Sequence, residues 1–216
     1  MLEQQFLELS KLGAEWVLWV LIALSVLSFG VVVDRLILYI STKEKIDQFE
    51  PGLSTALNSS DMDKAIAALD GDGLIKNVLR SGIEAMKKGY THAGQVEQAM
   101  LGKLVSEKDR YESRLTIIGT IGNNAPFVGL FGTVIGIIQA FYELGRMEMT
   151  QQSGNQLLMA AISEALIATG VGILVAIPAV AAFNACKSHV NGKCKKAESM
   201  MRAILSGIKQ ESAKGS

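Results

Sequence analysis

Three long apolar stretches dominate the pattern of hydrophobic and polar positions, and they occupy residues 16–40, 115–141 and 157–186. Each is longer than the roughly 20 residues that a helix needs to cross the hydrocarbon core of a bilayer. No charged residue lies between Arg114 and Glu143, so the second stretch is uncharged throughout. We therefore predict an all-α, polytopic membrane protein with three transmembrane helices.

Small residues recur at steps of three and four along the second and third stretches, which places them on one face of each helix. In the second stretch they are Gly119, Gly122, Pro126, Gly129, Thr133, Gly136 and Ala140, and in the third Ala161, Ala165, Ala168, Gly172, Ala176 and Ala179. Such a groove lets two helix backbones approach closely inside a membrane. We expect the two helices to pack as an antiparallel pair or against copies of themselves.

The other segments are amphipathic or polar. Residues 1–15 place Leu2, Phe6, Leu9 and Leu12 on one helical face, which predicts a short amphipathic helix on the membrane surface. Residues 142–156 form a short link between the second and third spans. Residues 187–216 form a polar helix or tail.

Residues 41–114 read as a polar, helical domain. Ser60 or Asp61 is expected to cap one helix, and Gly71 and Gly89 are expected to end two helices. From about Gln95 onward no helix breaker interrupts the chain before the second span. The pattern therefore predicts one long helix that leaves the membrane and continues.

The basic residues are distributed unevenly. Residues 41–114 carry eleven Lys and Arg and the tail carries seven, whereas the N-terminal segment and the 142–156 link carry one each. The positive-inside rule places the two basic segments in the cytoplasm. The second and third helices then extend into the cytoplasm, and the N-terminus and the link face the periplasm.

Composition and motifs argue against several classes of function. The residues are 49% hydrophobic and 19% charged, and 21 Lys and Arg balance 21 Asp and Glu, so no basic field for nucleic acid exists. No nucleophile paired with a base, no phosphate-binding glycine loop and no metal-ligand spacing is recognisable. We expect neither an enzyme nor a protein with a cofactor or metal.

The two cysteines do not suggest a special chemistry. Cys186 and Cys194 are eight residues apart in one predicted helix, which separates them by about 12 Å along its axis and prevents a disulfide between them. His189 lies between them, but the spacing matches no zinc motif. We expect packed or solvated side chains.

Three polar residues in the spans are candidates for chemistry: Thr133, Thr169 and Glu164. A carboxylate inside a span usually faces a cavity or a partner, although Glu164 could instead be solvated near the outer interface. A single threonine in a membrane helix usually hydrogen-bonds its own helix backbone. Glu164 and Thr169 differ by about 140° around the helix, so they touch two faces.

Asp34 and Arg35 interrupt the inner end of the first span. They could anchor the helix at the headgroup level, extend toward water, or pair with a neighbouring subunit. The sequence leaves these alternatives open.

Two segments resemble the signatures of a known family. They are GTIGNNAPFVGLFGTVIGIIQAF in the second span and SEALIATGVGILVAIPAVAAFN in the third. Both closely resemble segments of the ExbB/TolQ/MotA proton-channel family. The three-span layout with a large first cytoplasmic loop is similar to its ExbB/TolQ branch.

The resemblance implies an inner-membrane subunit that forms a pentamer around the single-span helices of an ExbD/TolR-like dimer. Protons, or alternatively sodium ions, would pass along the second and third spans and an aspartate of the partner, and a TonB/TolA-like protein would receive the resulting motion. By motif, Thr133 and Thr169 match pore-lining threonines and Glu164 matches the family's acidic residue. The alternative within the family is a motor subunit of the TolQ type or the gliding type.

A structural scaffold whose grooves hold partner helices is the alternative function. It would depend on small residues such as Gly129 and Gly136 rather than on polar side chains. A small-molecule transporter is disfavoured because no pair of broken spans occurs in corresponding halves of the chain.

Overall fold

The computed structural model describes residues 15–44, 46–59, 61–90, 92–146 and 151–214, and within them it contains helices but no strand. The helices are α1 (Glu15–Ser41), α2 (Ile46–Asn58), α3 (Met62–Ala68), α4 (Leu74–Lys87), α5 (Ala93–Glu112), α6 (Leu115–Arg146) and α7 (Gln151–Lys214). The amphipathic helix predicted for residues 1–15 lies outside the described residues, apart from Glu15 at the start of α1.

Three of these helices are long and apolar enough to cross a membrane, over Glu15–Ser41, Leu115–Tyr142 and Leu158–Ile208. The prediction of an all-α protein with three transmembrane helices is confirmed. Helix α6 continues to Arg146 and α7 begins at Gln151, so both helices enter the predicted 142–156 link. Helix α7 has no interruption at residue 187, and the third span and the tail are one helix.

In residues 41–114, a predicted capping residue and two predicted helix-ending glycines lie at helix ends. Asp61 caps α3, because its side chain accepts a hydrogen bond of 3.1 Å from the backbone N–H of Lys64. Gly71 and Gly89 follow the ends of α3 and α4 with φ angles of 95° and 93°. Glycine adopts this left-handed conformation without the clash that a Cβ atom causes.

The prediction of one unbroken helix from Gln95 into the second span is wrong. Helix α5 ends at Glu112, Ser113 is extended (φ −47°, ψ 139°) and Arg114 is left-handed (φ 63°). At the end of α5, two carbonyl oxygens accept hydrogen bonds from Arg35 and Tyr39 of α1. Such tertiary bonds satisfy acceptors that a continuing helix would otherwise use.

The chain folds as two compact units, the first of which comprises Met1–Val33 and Arg114–Asn184. In it α6 and α7 pack antiparallel, since residues that come later in α6 meet residues that come earlier in α7. A Cβ atom added to the glycine would lie 3.1 Å from Phe183 at Gly119, 2.6 Å from Val180 at Gly122 and 3.2 Å from Gly172 at Gly129. The antiparallel pair, one of the two predicted arrangements, is therefore confirmed within the chain.

Helix α1 contributes one stripe to this unit. Val17, Leu21 and Val31 are buried, and Val17 lies against Gly132 of α6. The other faces expose large apolar side chains, including Trp19 and Phe29. This distribution suits a helix that has one protein neighbour and is otherwise surrounded by lipid.

The second unit comprises Asp34–Ser113 and Ala185–Ser216. Helices α4 and α5 pack against each other, and the carboxyl-terminal part of α7 adds a further apolar stripe. Its core includes Ile75, Val78, Leu79, Ile83, Val96, Met100, Leu104, Val190, Ala197 and Met201. Cys186 and Cys194 are both buried and unpaired with each other.

An ion pair on this unit should make stability depend on acidity. Arg110 donates two hydrogen bonds to the Asp72 carboxylate, at 2.9 and 2.5 Å, and Asn77 donates a third at 2.9 Å. The bond from Arg110, with the smaller contribution of Asn77, lowers the pKa of Asp72 to about 2.

We expect the stabilisation from this pair to be complete above the ordinary pKa of Asp, about 3.9, and to disappear as the pH falls through about 2. Both side chains are more than one third exposed, so solvent limits the effect to under about 1 kcal/mol. Thermal unfolding of the wild type and of Asp72→Asn at pH 6 and pH 2.5 measures it. A difference between the two proteins that is the same at both pH values would contradict it.

Candidate functional site

The centre of the first unit is a pair of threonine hydroxyls. The Oγ1 atoms of Thr133 in α6 and Thr169 in α7 are 2.6 Å apart, and the Thr133 hydroxyl also donates a bond of 3.2 Å to the carbonyl of Gly129. Because Thr133 has one hydroxyl hydrogen, that arrangement makes Thr169 the donor within the pair. Thr133 is only 8% exposed, so this chain of hydrogen bonds lies inside the helix pair.

The glycines beside the hydroxyl pair explain why it can form. A Cβ atom at Gly129 would lie 2.6 Å from the carbonyl oxygen of Ala168, and one at Gly172 would lie 2.7 Å from that of Ala125. Both contacts are with backbone, which side-chain movement cannot relieve. The absence of a side chain at these positions therefore sets the helix separation at which two short hydroxyls meet.

Of the predicted groove residues, Gly119, Gly122, Gly129 and Gly172 lie against the facing helix. The buried groove residues are Gly119, Gly122, Gly129, Gly136, Ala165, Gly172 and Ala176, and Pro126 is half-buried. The groove of α6 and the groove of α7 face each other. At these four glycines, each groove is occupied by the other helix of the same chain.

Glu164 does not join the hydroxyl pair within the single chain. It is exposed, whereas the next residue, Ala165, is buried. Thr169 is half-buried on the side that faces Thr133. The structure thus brings together two of the three polar candidates and leaves the carboxylate on the surface of the chain.

A buried charged cluster in the second unit was not predicted. The Lys193 ammonium donates a bond of 2.9 Å to the carbonyl of Thr42, lies 3.4 Å from Oε2 of Glu44 and lies 4.9 Å from the ring centre of Tyr111. Oε1 of Glu44 accepts a bond of 2.9 Å from the backbone N–H of Lys76, in the first turn of α4. One lysine of α7 thereby contacts the segment after α1 and the end of α5.

Sequence signals for this cluster are weak. Lys193 lies 151 residues from Thr42 in the sequence, and no local sequence pattern predicts a contact between residues so far apart. The one available hint is position, because Lys193 lies between Val190 and Ala197 on the buried stripe of α7. A lysine beside a buried stripe usually extends to water, and this one is held by an acid instead.

The chemistry available at the hydroxyl pair is that of oxygen donors and acceptors. A hydroxyl can pass a proton along hydrogen bonds, and both hydroxyl and carbonyl oxygens can contribute ligands to a hard cation. Among the residues that the structure describes, no cluster of three His, Cys, Asp or Glu side chains could hold a metal ion.

A profile of the MotA/TolQ/ExbB proton channel family matches residues 70–199, which is more than half of the chain and includes α6 and most of α7. The chain is similar to the Tol-Pal system protein TolQ of Pseudomonas aeruginosa, with 30% identity over 81% of this chain and 78% of the relative.

Two other relatives extend the comparison. TolQ of Haemophilus influenzae is 29% identical over 88% of this chain and 87% of its own length. The biopolymer transport protein ExbB of Xanthomonas campestris pv. campestris is 37% identical over 46% of this chain and 38% of its own length. The chain therefore belongs to the ExbB/TolQ family of the MotA/TolQ/ExbB proton channel group.

Proposed function

We propose that this protein is an inner-membrane, channel-forming stator subunit of a motor that is driven by the proton-motive force. The observation that carries the proposal is the hydroxyl pair of Thr133 and Thr169, which lies between the two spans that bear the family signatures. A hydroxyl that donates to one neighbour and accepts from another can relay a proton without a net change of its own charge. The protein acts as a membrane transport subunit and not as an enzyme.

A partner is required on physical grounds. Glu164 is the one carboxylate well inside the second and third spans, and it does not contact the hydroxyl pair in the single chain. A complete relay therefore needs a second acidic group from outside the chain. We propose an ExbD/TolR-like single-span dimer as its source, held by a homopentamer of this chain, with a TonB/TolA-like protein receiving the motion.

The energy available suits such a motor. Each elementary charge that crosses a potential of 100 mV releases about 2.3 kcal/mol.

The two segments rich in Lys and Arg, residues 41–114 and the tail, face the cytoplasm. The 142–156 link and the N-terminus therefore lie on the periplasmic side. Protons enter near Glu164 on that side and continue past the threonine pair.

The test combines loss of the hydroxyls with an assay of ion flow. Thr133→Val together with Thr169→Val keeps the shape of both side chains and removes both oxygens. We expect this variant, and separately Glu164→Gln, to lose energy transduction and proton flow in reconstituted vesicles while the complex still assembles. Each lost relay donor should reduce the rate by about 10²-fold or more, in line with the removal of a positioned proton-transfer group.

The matched control is Thr120→Val, which removes an exposed hydroxyl from the same helix. It should retain normal flow. Full activity of the double variant or of Glu164→Gln would overturn the proposal. Replacing the proton gradient by a sodium gradient in the same vesicles identifies the ion, and flow that follows sodium alone would exclude a proton motor.

The scaffold alternative is less well supported by the packing. It requires grooves that are open to partner helices, whereas the grooves of α6 and α7 fill each other. We therefore retain one proposed function.

A further inference from the structure

The junction between α5 and α6, formed by Ser113 and Arg114, has an unusual backbone. Arg114 has a φ angle of 63° and is the one residue other than glycine with a positive φ in the part of the chain that the structure describes. A left-handed conformation costs free energy for any residue with a Cβ atom. Neither proline nor glycine occurs between Leu104 and Ile118, so no helix-breaking residue accounts for the break.

Two hydrogen bonds from α1 hold the end of α5 beside this junction. Nη1 of Arg35 donates to the carbonyl of Arg110 at 3.2 Å, and the hydroxyl of Tyr39 donates to the carbonyl of Tyr111 at 3.2 Å. Arg35 and Tyr39 are four residues apart and therefore lie on one face of α1. The last carbonyls of a helix have no partner in that helix, and a cation beside them is favourable.

The surroundings fix both donors. Arg35 is 7% exposed, and Oδ2 of Asp34 accepts bonds of 3.0 and 2.6 Å from its Nε and Nη2 atoms. The rings of Tyr39 and Tyr111 are stacked, with their centres 5.9 Å apart and their planes at 7°. Both donors are thus preorganised toward the two carbonyls.

In a continuous helix, the carbonyls of Arg110 and Tyr111 would accept hydrogen bonds from the backbone. The carbonyl of Arg110 would accept from the N–H of Arg114, and that of Tyr111 would accept from the N–H of Leu115. In the broken helix, Arg35 and Tyr39 donate to these two carbonyls instead. The junction therefore has two backbone arrangements that satisfy the same acceptors, a broken helix held by α1 and a continuous helix favoured by the local sequence.

We propose that Arg35 and Tyr39 are positioning residues that end α5 at Glu112 and hold the junction in its broken state, poised against a continuous helix. This assignment gives a role to the charged pair that interrupts the first span. It goes beyond the proposed ion channel, and only its use by the motor rests on that function.

Hydrogen–deuterium exchange of the full-length protein in lipid nanodiscs tests the assignment at the backbone amides of residues 113–118. Arg35→Leu combined with Tyr39→Phe removes both donors and should slow exchange there, as the helix becomes continuous. The matched control is Arg80→Leu, because Arg80 donates to the carbonyls of Leu69 and Gly71 at a different helix end. Unchanged or faster exchange at residues 113–118 in the double variant would overturn the assignment.

A second comparison leaves α1 intact. Arg114→Gly accepts the left-handed conformation freely and Arg114→Ala favours the helix, while both lose the same guanidinium and its contacts. Exchange at residues 113–118 should be about fivefold slower in the alanine variant, the ratio that corresponds to ~1 kcal/mol in helix propensity. Equal exchange in the two variants would overturn the assignment. Exchange is measured without ion flow, so failure here is separate from failure of the threonine variants.

Discussion

Replacing Gly129 by leucine is expected to separate α6 from α7 and to destabilise the first unit. A Cβ atom at this position would lie 2.6 Å from the carbonyl oxygen of Ala168 and 3.0 Å from the Cα atom of Thr169. Both neighbours are backbone atoms of a long helix, so the strain cannot be relieved by a rotamer change. Overpacking usually costs about 1–3 kcal/mol, and a clash with backbone should reach or exceed the upper end.

The chain supplies a matched control for this variant. Gly170 lies next to Thr169 in α7, and a Cβ atom there would meet no atom within 4 Å in the described chain. Gly170→Leu should therefore leave the helix pair intact. Thermal unfolding in detergent compares the two, and a cross-link between cysteines at positions 133 and 169, in a background with Cys186→Ser and Cys194→Ser, reports the pairing directly.

The expected result is loss of the cross-link and a lower unfolding temperature in Gly129→Leu alone. If Gly129→Leu kept the cross-link and the wild-type unfolding temperature, the helix pair would accommodate a side chain at position 129. That result would contradict the prediction from the backbone contacts. Loss of both in the two variants together would show that leucine is not tolerated for reasons other than the helix contact.

The sequence predicts the interface of α6 and α7 well because a single physical rule governs it. Small residues at steps of three and four define one face, and in a membrane that face is where helices meet. The register is also constrained, since only one antiparallel alignment lets Gly129 meet Gly172 and Thr133 meet Thr169. Periodicity thus identified the interface, and the structure added the alignment.

The break at Ser113 and Arg114 was not predictable by the same means. The side chains to which we attribute it lie in α1, 72 and 75 residues away from the carbonyls that they contact. A carbonyl oxygen exists at every residue, so no sequence pattern marks the two that are used. Helix propensity favoured continuation, and tertiary hydrogen bonds overrode it.

The position of Glu164 shows another limit. Its spacing from Thr169 predicts different faces of α7, and in the single chain Glu164 is exposed while Thr169 contacts Thr133. What Glu164 faces depends on neighbouring chains, which the pattern of one chain does not describe. The family signature supplies its proposed role, and the variant Glu164→Gln tests it.

Replacing Lys193 by methionine is expected to destabilise the second unit by about 3–5 kcal/mol. The Lys193 side chain is 12% exposed and the Glu44 side chain 2%, so the ion pair at 3.4 Å is shielded from water. Removal of one partner leaves a buried charge without compensation, which is the costly way to break such a pair. The carbonyl of Thr42 would also lose its bond from the ammonium.

A double-mutant cycle separates the charge from the packing. Glu44→Gln alone leaves the ammonium without its counter-charge, whereas Lys193→Met with Glu44→Gln removes both charges and keeps the carbonyl that can accept from the N–H of Lys76. Unfolding free energies from denaturant titration should show the double variant to be more stable than the sum of the two single losses predicts, by about 1–3 kcal/mol. Additive losses would show that the two charges do not interact. A favourable coupling would establish that one ammonium of α7 stabilises the segment after α1 through its charge, because methionine preserves most of the apolar stem that packs beside Tyr111.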